Sequence, residues 1–123
     1  MKKIMVVDDE KDVRYSLKRI FEEKGEKFEV IEAENGQKAI DLIKKDKPDL
    51  VLLDIMMPIL DGWETCEKLK KDKETSKIPV VFLTAKPFSM ADVDRAANLG
   101  ATEYLTKPFD GERLMKLINM HFQ

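Results

Sequence analysis

The stretch Asp49-Leu50-Val51-Leu52-Leu53-Asp54 decides the fold. Four consecutive apolar residues are too few for an ordinary helix and show no alternation, which describes a strand covered on both faces. A carboxylate ends the run and interrupts an otherwise apolar stretch, residues 50–60. An ionised group there is costly unless it is paired or bound to a metal. Four further short runs stand around this one, at residues 4–7, 28–33, 78–83 and 101–105. Pro79-Val80-Val81-Phe82-Leu83 is again continuous, whereas Phe28-Glu29-Val30-Ile31-Glu32-Ala33 carries charges and is expected at a sheet edge.

Between the runs the period becomes helical. Val13, Leu17, Ile20 and Phe21 form a one-sided apolar stripe, and Ala39, Ile40 and Ile43 repeat it after Asn35-Gly36. Trp63, Cys66 and Leu69 follow Asp61-Gly62 and are expected to face the core. Met90, Val93 and Ala97 precede Gly100, read as a helix stop, and Leu114, Leu117 and Ile118 mark a last helix running nearly to Gln123. His121, in that helix's final turn, is expected to complement the helix dipole. Alternating strand and helix units predict an α/β fold, a doubly wound parallel sheet with helices on both faces. With right-handed crossovers, five strands take the flavodoxin-like order 2-1-3-4-5, and ligands collect at the switch point between strands 1 and 3.

Composition narrows the function. At 123 residues the chain is expected to be one domain, 1–123. Charged residues make up 37%, yet 22 Lys+Arg against 24 Asp+Glu leave −2, no basis for a nucleic-acid surface. Lys68, Lys70, Lys71 and Lys73 read as a solvated helix face. A single cysteine excludes an internal disulfide and a cysteine-rich zinc site. The apolar stretch after Lys2-Lys3 ends after residue 7, too short for a signal peptide, and no run approaches the ~18 residues of a membrane span. A cytoplasmic location without membrane contact is expected.

The carboxyl ends of the strands carry the chemistry. Strand 1 runs into Asp8-Asp9-Glu10, strand 3 into Asp54, strand 4 into Thr84, and strand 5 through Thr106 into Lys107-Pro108. In a parallel sheet these groups converge on one rim. Crowded carboxylates must protonate or be neutralised by a cation, and oxygen donors without His or Cys suit Mg²⁺. A lysine and a threonine on the same rim suit a phosphoryl group, and a carboxylate there can act as nucleophile and form an acyl phosphate. Singly, each residue has a plainer reading: Asp9 as a helix cap, Thr84 as a turn residue, Lys107 as a solvated loop lysine.

At these residues the chain resembles the receiver domains of two-component response regulators, the family that includes the chemotaxis regulators. The resemblance spans the chain through Val6-Val7-Asp8-Asp9-Glu10, Ala33-Glu34-Asn35-Gly36 and Asp49 to Asp54. It continues through Met57-Pro58, Asp61-Gly62, Leu83-Thr84-Ala85, Gly100-Ala101, Tyr104-Leu105 and Lys107-Pro108-Phe109. It implies that Asp54 is the phosphoacceptor, that Asp8 and Asp9 hold Mg²⁺ with Asp54 and the Met56 backbone carbonyl, and that Lys107 pairs with a phosphoryl oxygen ahead of a cis Pro108. It further implies that Thr84 hydrogen-bonds the phosphoryl group and that Tyr104 turns inward when Thr84 moves. Met56 and Lys86 would flank the group. The implied function is phosphorelay signalling: a sensor histidine kinase or histidine phosphotransfer protein donates to Asp54, and the surface over residues 89–122 rearranges to control a protein partner. Such a domain is a phosphoacceptor rather than an enzyme in its own right. An output on DNA would need a further domain.

Two other functions fit less well. A metal-dependent phosphatase with an aspartyl nucleophile needs an acid/base Asp two residues on, where this chain has Met56. A flavodoxin-like FMN carrier needs a phosphate loop after strand 1, where Asp8-Asp9-Glu10-Lys11-Asp12 is electrostatically hostile.

Overall fold

A computed structural model describes residues 1–23, 28–101 and 103–122. Strands and helices alternate: β1 Lys2–Val7, α1 Lys11–Glu23, β2 Phe28–Ala33, α2 Gly36–Ile43, β3 Leu50–Asp54, α3 Gly62–Lys71, β4 Val80–Thr84, α4 Met90–Asn98, β5 Glu103–Thr106 and α5 Gly111–His121. The sheet is parallel throughout, in the order β2-β1-β3-β4-β5, with charged β2 at one edge as its sequence implies. Among the described residues no helix is long and apolar enough to cross a membrane.

The two-residue period of a strand divides the core. Met5, Val7, Val51, Leu53, Val80 and Phe82 face one side, where α2, α3 and α4 pack with Ile43, Trp63, Cys66 and Ala96. Their neighbours Ile4, Val6, Leu50, Leu52, Val81 and Leu83 face the other, against Leu17 and Phe21 of α1 and Leu114 and Ile118 of α5. All of β3 is buried. The register places Val7 beside Leu53 and Asp54 beside Leu83, so the ends of the three central strands lie together.

Helix starts are fixed by side-chain acceptors. Asn35 accepts from the Lys38 N–H, and Asp61 and Ser89 each form a reciprocal capping box, with Glu64 and Asp92. Gly100 ends α4 at φ 83°, with its N–H donating to the Ala97 carbonyl and that of Ala101 to Ala96. This is a Schellman stop, which glycine occupies without strain. Gly62 has a different reason: a Cβ there would overlap the Asp54 carbonyl oxygen and Ile55, so its absence seats α3 directly behind the end of β3.

Two local expectations are corrected. β4 begins at Val80 rather than residue 78, because Ile78 closes a turn on the Thr75 carbonyl and Pro79 has no N–H; the Pro79 carbonyl still accepts from Val51. In α4 the buried residue is Ala96, while Met90 and Val93 of the expected stripe are exposed. The Ser89 cap and Gly100 stop set the helix rotation, so the small Ala96 side chain meets the Trp63–Phe82 layer. The expectation for α5 at Gln123 lies outside the described residues; the helix closes at His121, in its last turn as read.

Candidate functional site

The side chain at the end of β3 meets the one after β1 across the switch point. Asp8 is fully buried and Asp54 is 5% exposed. Between them lies the Lys107 ammonium, 2.8 Å from Asp8 Oδ2 and 3.3 Å from Asp54 Oδ1, delivered by the turn after β5. Its side chain is only 17% exposed, so the solvated-loop reading of Lys107 fails. The Lys107–Pro108 peptide is cis, as the resemblance implies. Asp8 Oδ1 accepts the Glu10 N–H at 2.9 Å, so the turn out of β1 is closed by Asp8, not Asp9. Asp9 and Glu10 are exposed beside it, and one carboxylate oxygen from each of Asp8, Asp9 and Glu10 lies within 4.8 Å of the others.

The electrostatics follow from this crowding. Burial first, and then the Asp8 charge, push the Asp54 carboxyl up to about 6, with Lys107 pulling the other way and Asp9 adding a smaller push. Burial alone would lower the Lys107 ammonium, but its hydrogen bond to Asp8 and the charges of Asp54 and Asp8 outweigh it, and it is held above the ordinary lysine value. One cation faces two buried carboxylates and two exposed ones at its rim. An all-oxygen, acid-rich donor set of this kind fits a hard divalent ion such as Mg²⁺.

The remaining candidates surround this centre. Thr84 ends β4, next to β3, and its hydroxyl is spent on its own loop, donating to the Lys86 carbonyl at 2.7 Å and accepting the Lys86 N–H. The turn reading of Thr84 therefore holds in this conformation. Met56, its side chain 79% exposed, lines a cleft of about 280 Å³ with Thr84, Lys86, Trp63 and Phe88. Tyr104 is 38% exposed and stacks on Phe88. The structure thus brings Asp8, Asp54 and Lys107 into contact, sets Asp9 beside them, and leaves Thr84 and Tyr104 turned to other partners.

Two residues escaped the sequence reading. Arg14 donates from Nη1 to the Asp8 backbone carbonyl at 2.7 Å and from Nε to Glu32 at 3.1 Å. A cation beside an apolar stripe reads as solvated, and only its place one turn after the acidic run hints at more. Phe88 joins a ring series running from Phe82 through Trp63 to Tyr104. Its signal was an aromatic immediately before a Ser N-cap.

A family model described as response regulator receiver domain matches residues 4–119. The chain belongs to this family. Among its relatives, Protein PilH of Pseudomonas aeruginosa is 43% identical over 119 residues, covering 97% of this chain and 96% of PilH. Response regulator MprA of Mycolicibacterium vanbaalenii is 42% identical over 113 residues, 92% of this chain but 47% of that protein. Among solved structures, chemotaxis protein CheY4 of Vibrio cholerae superposes with a TM-score of 0.90 at 28% identity, covering 98% of both chains. The N-terminal domain of a response regulator receiver protein from Methanoculleus marisnigri gives 0.82 at 35% identity, over 98% of this chain and 95% of that one. As a receiver, the chain is a member of a family of signalling phosphoacceptor domains, and its acidic cluster lies where receivers hold Mg²⁺.

Proposed function

We propose that this receiver accepts a phosphoryl group on Asp54 from a phosphohistidine of a sensor histidine kinase or histidine phosphotransfer protein, in the cytoplasm, and passes the change to a protein partner. The observation that carries the reading is the Lys107 ammonium held between buried Asp8 and Asp54. An Asp54 Oδ attacks phosphorus in line; the P–N bond to the donor imidazole breaks, an O–P bond forms, and the released imidazole takes a proton from solvent. Because its carboxyl titrates at about 6, Asp54 is mostly ionised and nucleophilic near pH 7. Asp8, Asp9, Asp54 and the Met56 backbone carbonyl would hold Mg²⁺. The bound ion supplies charge neutralisation for the incoming phosphoryl oxygens. Lys107 supports that role by pairing with one of those oxygens as its contact to Asp54 is replaced.

The modification adds up to about two negative charges. Thr84 then exchanges its bond to Lys86 for one to a phosphoryl oxygen, and Tyr104 moves toward the space this frees. A local charge thereby biases a two-state surface made of α4, β5 and α5. A phosphatase with an aspartyl nucleophile is disfavoured, since the exposed Met56 offers no acid/base group. Incubation with a small phosphodonor and Mg²⁺, read by intact-protein mass, tests the reading. Wild type should gain one phosphoryl group and Asp54→Asn none; equal uptake by both would remove Asp54 from the role.

A further inference from the structure

We propose that Arg14 is a positioning residue for the divalent cation, an inference that rests on the function proposed above. Every polar group of Asp8 is engaged. Its N–H donates to the Ala33 carbonyl at 3.2 Å, its carboxylate oxygens accept from the Glu10 N–H and Lys107, and its carbonyl accepts from Arg14 Nη1 at 2.7 Å. Phosphoryl chemistry accounts for Lys107 and strand pairing for Ala33; the Arg14 bond serves neither. The Arg14 side chain is 14% exposed and its Nε is fixed by Glu32 on β2. The guanidinium therefore fastens the peptide joining Asp8 to Asp9 against the neighbouring strand, and rotation of that peptide would swing Asp9, an exposed carboxylate the cation needs. The planar fork of arginine makes both bonds at once, which a lysine cannot reproduce.

Charge and positioning predict opposite signs. As a bare charge, Arg14 repels a divalent cation, so its neutralisation would tighten binding. As a positioning group, its loss should weaken binding about 10- to 100-fold, the usual effect of removing a partner that orients metal ligands. Calorimetric titration of Mg²⁺ into the full chain separates them, with circular dichroism reporting the fold of each variant. Arg14→Met and Arg14→Lys should both raise Kd at least about tenfold, and Glu32→Gln should raise it less. Unchanged or tighter binding in Arg14→Met overturns the proposal; if that variant does not fold, Arg14→Lys binding like wild type overturns it. Absence of Mg²⁺ uptake by wild type would instead overturn the function proposed above.

A separate contact carries a second inference: we infer that Phe88 clasps Tyr104 in its outward position and so sets how far the surface switches without phosphorylation. It too rests on the switching role proposed for Tyr104. The two rings stack at 4.2 Å and 19°. Phe88 is backed by Trp63 at 5.7 Å, and Arg95 of α4 covers the Trp63 ring at 4.4 Å. An inward turn of Tyr104 forfeits a stack that exists only in the outward state, and a contact present in one state alone is what shifts a two-state balance. Phe88→Leu keeps an apolar contact to Trp63 but removes the stack, and should raise the inward population of unphosphorylated protein about 2- to 10-fold. Phe88→Tyr should leave it at the wild-type level.

The chain labelled with fluorotyrosine in a Tyr15→Phe background carries one reporter, at residue 104, and ¹⁹F NMR reads its position. A Phe88→Leu signal displaced toward that of phosphorylated protein supports the clasp. A signal at the wild-type position overturns it. Failure of phosphorylation to move the wild-type signal would overturn the switching role itself.

Discussion

Replacing Asp54 by asparagine should stabilise the metal-free protein, and the size of the gain should depend on pH in a way set by one carboxyl. Burial and the neighbouring Asp8 charge hold Asp54 at about 6, against an ordinary 3.8. Its folded value is raised, so the favourable contribution of the neutral carboxyl is fully present below the unfolded value and is lost as pH rises through 6. Over that window the native state binds more protons than the unfolded chain, and wild-type stability falls. A separation of about two pH units corresponds to about 3 kcal/mol at pH 8. Asparagine is neutral throughout, and its amide oxygen can still accept from Lys107. Asp54→Asn should therefore exceed wild type by about 3 kcal/mol at pH 8, by about half that at pH 5 and by little at pH 4. For a chain of this size the pH 8 gain is roughly 10 °C in Tm. Urea melts followed by circular dichroism in a chelating buffer measure it, and millimolar Mg²⁺ should narrow the gap by stabilising wild type alone. A variant no more stable than wild type at pH 8, or a gap that does not change between pH 4 and pH 8, would refute the reasoning.

Lys107→Met should drive the Asp54 titration upward from about 6, because the lysine now lowers it, and should abolish phosphoryl uptake; ¹³C NMR of the carboxyl and intact mass report the two effects. Gly62→Ala forces a Cβ into the Asp54 carbonyl and Ile55, so it should destabilise by several kcal/mol in a denaturation melt and slow phosphorylation by displacing the end of β3. Asp61→Ala removes the capping box of α3 at a loss of about 1 kcal/mol, with phosphorylation of the folded protein unchanged.

The sequence made the layer order readable because it states burial directly. Residues 50–53 and 79–83 are continuously apolar and lie in the sheet centre, whereas Glu29 and Glu32 mark β2 as an edge. Asp8, Asp54 and Lys107 were legible as a group since a parallel sheet sends all strand ends to one rim. Helix rotation was not. Met90, Val93 and Ala97 satisfy a helical period as well as Ala96 and Leu99 do, and the Ser89 cap with the Gly100 stop chooses between them. Nor could composition show that Arg14 spends its guanidinium on a backbone carbonyl, since that bond depends on the distance between α1 and the end of β1. The partner of the Thr84 hydroxyl was equally hidden: a turn and a phosphoryl contact call for the same residue, and only the conformation distinguishes them.

The most direct test of phosphoryl acceptance is to trap the product on the chain. Wild-type protein treated with a small phosphodonor and Mg²⁺, then reduced with borohydride, should yield homoserine at residue 54 and at no other carboxylate, and a chelator should prevent it. Homoserine at residue 8 or 9, or equal yield at residue 54 with and without the chelator, would contradict the account.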